Sequence, residues 1–321
     1  MRGQVCPSTP FLSFRIRLLG VRVIILGSGS NGGVPQWDCC CPNCEQARSD
    51  RVLCRTRSSI ALTLDGDRYL LIDASPDLRR QLEDSGIYPS AASAGRYGRR
   101  SLVDSILLTH GHGDHCVGLF EFSTGKCFNI PVYGPRDLIG YLFGGDAGAG
   151  FFGSLGRLGV DYLNPVPLGE DEPLELLGGL IVRGFEVPHT ERLGDGSYNP
   201  TRTYAYEVEF GGRRLIYAPD LGGIGGELLS RLEGLDVFIL DGTFWWDDEL
   251  GRVSGISKTS YELGHIPISD SVELLSGLGL GRVIYTHINH TNPLLSRGGS
   301  YASILRGRGF EVAYDGMVIE I

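Results

Sequence analysis

Short apolar runs, each followed by a polar turn, recur along most of this chain and predict buried strands. The clearest runs cover residues 21–26, 105–109 and 282–286. Other predicted strands are 58–64, 69–73, 132–134, 180–187, 204–210, 214–218, 237–241 and 317–321. Helical segments lie between many of them, and this alternation predicts an α/β fold.

Turn and cap residues support this pattern. The Asp65-Gly66 step between two strand patterns is typical of a hairpin turn. Ser75 and Pro76 precede a segment that is expected to be helical to residue 84. Helices are also predicted after Pro135 and over 270–278, whereas the glycine-rich segment 144–159 is expected to be an irregular, mobile lid.

The pattern shows two βα halves without a tandem repeat or a linker. It predicts one domain at 21–321, built as a four-layer αββα sandwich. Residues 1–20 are expected to be a disordered extension or an upstream mis-start, because Arg15 and Arg17 interrupt the apolar part of any signal peptide. A cytoplasmic location is therefore expected.

Composition narrows the function classes. Apolar residues make up 42% of the chain and charged residues 21%, as in ordinary globular proteins. A net charge of −9 argues against nucleic acid as a partner. No apolar stretch approaches the roughly 20 residues of a membrane span. The sequence leaves the oligomeric state open, a homodimer being one alternative.

The strongest chemical signal is the segment His110-Gly111-His112-Gly113-Asp114-His115. It follows a predicted buried strand directly, so the backbone brings three imidazoles and one carboxylate together in a single turn. A lone histidine beside a strand is usually a satisfied polar group, but this density of nitrogen and oxygen donors predicts a metal site.

Three more donors follow predicted strands: His189, Asp220 and His287. Each alone is weak evidence, because strand ends tolerate polar groups. Taken with the first cluster, they supply enough ligands for two adjacent metal ions.

The order of these donors resembles the metal signature of the metallo-β-lactamase superfamily, over residues 21–321. The resemblance implies the αββα fold and two divalent ions, which together lower the pKa of a shared water. It implies that Asp73 supports the histidine turn, although a helix-entry cap explains that residue equally well. The implied ligands are His110, His112 and His189 for one ion, Asp114, His115 and His287 for the other, and Asp220 as a bridge.

A second metal site is indicated by Cys39, Cys41 and Cys44, because clustered cysteines without a secretory signal favour metal over disulfides. Three thiolates need a fourth ligand for tetrahedral zinc, and His290 is the candidate. This CxCxxC arrangement is similar to that of a cyclic phosphodiesterase of the phosphonate pathway. The zinc is expected to be structural, with Cys40 as a spare thiol.

Longer stretches resemble the pyrroloquinoline quinone (PQQ) biosynthesis protein B family. They include 32–39, 57–61, 74–79, 241–249, 264–269 and 287–293. The resemblance implies metal-dependent hydroxylation of a Glu-Tyr-derived, cross-linked precursor, while an older suggestion for the family is transport of PQQ or its precursor. This chain departs from the family by its intact HxHxDH motif and by His290, where asparagine is common.

Three function classes therefore stay open. In the first, a PQQ-pathway oxygenase, His115, His287 and a carboxylate of Asp114 or Asp220 hold iron. In the second, a dinuclear zinc or manganese hydrolase cleaves phosphodiester-like bonds, with His265 as proton donor. In the third, the chain binds PQQ or a small peptide-derived precursor without catalysis. Trp37 is a candidate for stacking on the substrate, with packing as the alternative. Arg57 is a candidate for binding a substrate carboxylate, with solvation as the alternative.

Overall fold

The computed structural model describes residues 20–90, 98–124, 129–144, 150–156, 162–189 and 202–321. The predicted extension at 1–20 lies outside the described residues except for Gly20. The predicted lid at 144–159 is described only at Gly144 and over 150–156.

Seven strands form the first sheet: β1 (Arg22–Gly27), β2 (Ser59–Thr63), β3 (Tyr69–Ile72), β4 (Val103–Leu107), β5 (Ile130–Pro135), β6 (Leu163–Leu168) and β14 (Val318–Glu320). Their order is β14-β1-β2-β3-β4-β5-β6. The pairs from β14 to β3 are antiparallel, and those from β3 to β6 are parallel. The predicted hairpin is therefore confirmed as β2 and β3.

Seven more strands form the second sheet: β7 (Leu174–Leu176), β8 (Leu180–Glu186), β9 (Tyr204–Phe210), β10 (Arg213–Ala218), β11 (Val237–Asp241), β12 (Arg282–Thr286) and β13 (Phe310–Val312). Their order is β13-β12-β11-β10-β9-β8-β7. The strands β10 to β13 are parallel, so the residues that follow β10, β11 and β12 meet at one edge of the sheet.

Helices cover the outer faces of both sheets. The described ranges contain α1 (Pro42–Ser49), α2 (Leu78–Asp84), α3 (Gly113–Cys116), α4 (Arg136–Phe143), α5 (Phe151–Gly156), α6 (Gly226–Leu232), α7 (Glu249–Ser254), α8 (Ile268–Leu275) and α9 (Tyr301–Gly307). Four short 3₁₀ segments add Arg51–Leu53, Val117–Thr124, Tyr261–Leu263 and Pro293–Leu295.

The strand alternation produces the layers. In β1, Val23 and Ile25 lie in the core between the sheets, whereas Ile24 and Leu26 pack in the outer core of the first sheet. In β11, alternate residues likewise divide between the inter-sheet core and the outer core of the second sheet. Helices α2 and α4 close one outer core, and α6 and α8 close the other. The predicted four-layer αββα sandwich is confirmed.

The segment 144–159 is not irregular throughout, as the sequence suggested. Helix α5 forms within it, because buried Phe152 stacks on Phe143 with ring centroids 5.5 Å apart. Gly153 allows this approach, since a Cβ there would lie 2.0 Å from the carbonyl oxygen of Phe143. The glycines that suggested a loop therefore permit close packing of two helices.

Candidate metal centre

The predicted donors converge at the edge between the two sheets. Strand β4 ends at Leu107, and the turn through helix α3 follows it directly. The other donors follow β8, β10 and β12 of the opposite sheet. Three groups have ligand atoms within 4.8 Å of one another: His110, His112 and His189; His110, His115 and Asp220; and Asp114, His115 and His287.

Asp220 lies between the two predicted halves of the site. Its Oδ2 is 3.1 Å from Nε2 of His115, and its Oδ1 is 3.6 Å from Nε2 of both His189 and His287. Oδ2 of Asp114 lies 3.3 Å from Nε2 of His115 and of His287. Asp220 thus reaches both halves of the donor set, as a bridging arrangement requires, whereas these contacts of Asp114 lie within one half.

Four buried donor atoms at this site lack a hydrogen-bond partner among the described residues. They are Nε2 of His110, Nε2 of His115, Oδ1 of Asp114 and Oδ2 of Asp220. Buried polar atoms are normally satisfied. Divalent cations would satisfy all four, so the residues fit the predicted metal.

Two aspartates orient four of the imidazoles. Asp73 is wholly buried and contacts Nδ1 of His115 at 2.8 Å. It also accepts the hydroxyl of Thr109, which in turn lies 2.9 Å from Nδ1 of His110. The Nδ1–H of His115 therefore points at the aspartate and that of His110 at the Thr109 hydroxyl, and the Nε2 atoms of both are left to bind a cation.

The second sheet repeats this arrangement with Asp241, which no sequence argument had assigned. Asp241 contacts Nδ1 of His265 at 2.6 Å and accepts the Thr243 hydroxyl at 2.7 Å. Thr243 lies 2.8 Å from Nδ1 of His287. A signal existed in the sequence, because Asp241 ends a predicted strand next to two others that end in donors. Thr243 carried no signal of its own.

Backbone geometry at the site is unusual for non-glycine residues. Asp73 has a φ of 66°, and His287 has a φ of 58°. Left-handed backbone costs free energy for such residues and is concentrated at functional sites. The surrounding hydrogen bonds hold both residues in the orientation that the donor set needs.

Electrostatics divide the imidazoles into two classes. Burial lowers the pKa of His189 to about 4 and holds that of His110 well below its usual value, so both are neutral donors near pH 7. Burial alone would also lower the pKa of His115, but Asp220, Asp114 and Asp73 together raise it well above the usual value. A metal ion would replace that proton, so metal binding is expected to release protons.

His265 lies beside the donor set. Burial alone would lower its pKa, but Asp241, Asp220 and Asp114 together raise it. Its ligand atom also falls within 4.8 Å of those of His189 and Asp220. With Nδ1 facing Asp241, Nε2 is the atom left for proton transfer or for binding. The structure therefore brings the predicted proton donor to the metal centre.

The structure brings the four residues of the predicted cysteine cluster together. Ligand atoms of Cys39, Cys41, Cys44 and His290 lie within 4.8 Å of one another, with Cys41 Sγ 3.5 Å from His290 Nδ1. Burial raises the pKa of Cys44 to about 12, and the neighbouring thiols add to the effect. A cation is what stabilises thiolates so placed, so this set fits zinc.

A cavity of about 630 Å³ opens over the donors. Its walls combine Asp114, Asp220 and His287 with groups from several surrounding loops. This volume suits a small molecule of dipeptide size. The loop groups are Trp37, Arg57, Phe244, Lys258, Leu263 and Asn289.

The fold and the donor set define a protein of the metallo-β-lactamase class, and a comparison with protein families agrees. The profile of the Beta-lactamase superfamily domain matches residues 68–288. A solved diphosphatase from the PhnP family, 24% identical, shares the fold with a TM-score of 0.64 over 94% of this chain and 98% of that one.

Within that class, comparison with individual proteins identifies the family more narrowly. Coenzyme PQQ synthesis protein B of Methylobacterium radiotolerans is 36% identical, over 94% of this chain and 100% of the relative. That of Rhizobium meliloti is 34% identical, over 94% and 98%. Zn²⁺-bound PqqB from Methylobacterium extorquens is 31% identical with a TM-score of 0.80, over 94% of this chain and 100% of that chain. This chain belongs to the PqqB family, and the resemblance drawn from its motifs is confirmed.

The described ranges contain no helix that is long and apolar enough to cross a membrane.

Proposed function

We propose that the chain is a metal-dependent hydroxylase acting on a Glu-Tyr-derived precursor in PQQ synthesis. Family membership supports the pathway. The observation that carries the chemistry is the convergence of His115 and His287 with Asp114 at the floor of an open cavity. Two imidazoles and one carboxylate form the donor set typical of oxygen-activating iron, which supplies dioxygen activation when bound.

The net reaction replaces a C–H bond of the phenol ring by C–OH. One oxygen atom of O₂ enters the ring and the other leaves as water, with two electrons and two protons from a small-molecule reductant such as ascorbate. Substrate enters through the cavity, whose walls combine the aromatic rings of Trp37 and Phe244 with the cationic side chains of Arg57 and Lys258. His265 holds a proton close to Asp241 and so can exchange one with the phenol through Nε2.

The test is isotopic. Iron-loaded protein, ascorbate and the cross-linked Glu-Tyr dipeptide are incubated under ¹⁸O₂, and the mass of the product is measured by mass spectrometry. Incorporation of one ¹⁸O atom per added hydroxyl supports the proposal. An unchanged substrate with iron, under conditions where iron content is verified, contradicts it.

A second candidate function is hydrolysis of a phosphodiester-like bond with two zinc or manganese ions. It is favoured by the complete set of donors and by Asp220, whose two oxygens face both halves. In this case His265 donates a proton to the leaving group. Turnover of bis(p-nitrophenyl) phosphate by the zinc-loaded protein, lost in Asp220→Asn, separates this function from hydroxylation. If neither reaction occurs and His112→Ala leaves the host's PQQ production unchanged, the protein binds its ligand without catalysis.

A further inference from the structure

The cavity wall that faces the metal donors contains an unusual tryptophan. The side chain of Trp37 is 86% exposed, yet it lines the cavity over the donor set. Large aromatic side chains are seldom left this exposed without a partner. The indole ring therefore offers a flat apolar surface at the cavity mouth.

The backbone that carries this tryptophan is fixed. The guanidinium of Arg48 donates to the carbonyl oxygens of Cys39, Gln36 and Trp37, at 2.6, 2.8 and 3.4 Å. The same segment begins the cysteine cluster, which binds it to the loop of His290. An ordered backbone with an exposed ring reduces the entropy that a stacked ligand must lose.

Two cationic side chains line the same cavity. Lys258 has no carboxylate partner within the described part of the chain and reaches the cavity from the loop after α7. Arg57 donates from Nε to the carbonyl oxygen of Asn31 at 2.6 Å and from Nη1 to Asp77 at 3.0 Å. Its Nη2 has no partner among the described residues.

The charges of the cavity point to an anionic ligand. Its two acidic residues, Asp114 and Asp220, belong to the proposed metal donor set and would be occupied by cations there. What remains for a ligand is then the metal charge together with Lys258 and the Nη2 of Arg57, whose Nη1 pairs with Asp77. In a protein of net charge −9, this local excess of positive charge selects carboxylates.

We propose that Trp37, Arg57 and Lys258 form the recognition surface of this cavity for an aromatic ligand with two carboxylates. The ring of the ligand stacks on Trp37, and one carboxylate pairs with each cation. This inference rests on the proposed function only in placing the substrate in this cavity. It assigns the specificity of the site to residues outside the metal donor set.

The experiment measures binding by calorimetry to zinc-loaded protein without oxygen or reductant, so that no turnover occurs. The probe is L-glutamyl-L-tyrosine. One comparison ligand, L-glutamyl-L-leucine, lacks the ring, and the other, L-glutaminyl-L-tyrosine amide, lacks both carboxylates. The expected dissociation constant of the probe is lower than that of either comparison ligand by about tenfold or more.

Variants then test which residue recognises the ring of the probe and which recognises its carboxylates. Lys258→Gln is expected to weaken binding of the probe by about tenfold while leaving binding of L-glutaminyl-L-tyrosine amide, which lacks carboxylates, unaffected. Trp37→Leu is expected to weaken binding of the probe but not of the leucine dipeptide, and Trp37→Phe to restore it. Arg80→Gln is the matched control, because Arg80 pairs with Asp84 on the surface and does not line this cavity.

Equal affinity for the three ligands, no binding of the probe at millimolar concentration, or unchanged affinity in the Lys258 and Trp37 variants overturns the inference. The outcomes also separate the two proposals. Retained selectivity without ¹⁸O incorporation rejects only the hydroxylase. Hydroxylation with variants of unaltered affinity rejects only the recognition surface.

Discussion

Nδ1 of His115 lies 2.8 Å from Oδ2 of Asp73, and neither side chain is exposed to solvent. The same aspartate accepts hydrogen bonds from the backbone N–H and the hydroxyl of Thr109. Asp73 therefore determines which nitrogen of His115 faces Asp220. A residue that does not belong to the proposed donor set controls the geometry of the centre.

Replacing Asp73 by asparagine is expected to weaken zinc binding at the dinuclear centre by about 10–100-fold, because the orienting charge is lost. Competition with a chromophoric chelator measures the affinity. Asp84→Asn is the control, since Asp84 pairs with Arg80 on the surface of α2. Equal zinc affinity in the two variants would show that the aspartate serves only the helix entry.

Cys40 and Cys41 provide a matched pair for the second site. Cys41→Ser is expected to remove one zinc per chain and to lower the unfolding temperature, because the metal connects the segment before α1 to the loop of His290. Cys40→Ser is expected to change neither quantity, since Cys40 is exposed and outside the cluster. Elemental analysis and calorimetry give the two readouts. Equal zinc content in both variants argues against the tetrahedral site.

His265→Asn tests proton transfer at the centre. The asparagine amide can still donate to Asp241, while the atom that faces the cavity is removed. We expect kcat, measured for whichever of the two proposed reactions the wild type catalyses, to fall by about 10²–10⁴-fold with metal content unchanged. A parallel loss of metal would assign His265 to the donor set instead, in line with its position beside His189 and Asp220.

Glu249 predicts a pH dependence of stability. Burial raises its pKa from 4.5 to about 7, although Thr291 and the backbone of Trp245 donate to its carboxylate. Between these two pH values the folded chain binds more protons than the unfolded chain. The contribution of Glu249 to the free energy of unfolding is therefore complete below pH 4.5 and is lost as the pH rises to about 7.

The measurement is the urea unfolding midpoint of zinc-loaded protein between pH 5 and 7.5. Relative to Glu249→Gln, which does not titrate there, the wild type is expected to lose on the order of 2 kcal/mol across this interval. Glu273→Gln, a change at an exposed carboxylate paired with Arg308, is the control. Parallel curves for wild type and Glu249→Gln would refute the assignment.

Local sequence was sufficient for most strands and for the choice of candidate donors. The strands 204–210, 237–241 and 282–286 were predicted with the bounds that the structure has. The strands 237–241 and 282–286 are nearly continuous apolar runs in the parallel part of the second sheet, where both faces select apolar residues, whereas 204–210 alternates apolar residues with Glu207 and Glu209. Helix α1 and strands β6, β7 and β13 were missed. Prolines or cysteines interrupt the pattern in α1 and β6, and β7 and β13 are only three residues long, too short to show a period.

The chain order alone determined that His110, His112, Asp114 and His115 share one turn, since neighbours in sequence cannot separate. It did not determine how distant donors combine. The pairing of His287 with Asp114, 173 positions earlier, and of His287 with Asp220 depends on two sheets packed face to face. The roles of Asp241, Thr243 and Glu249 also required the tertiary structure, because a carboxylate or hydroxyl acquires its chemistry from burial and from partners that only folding supplies.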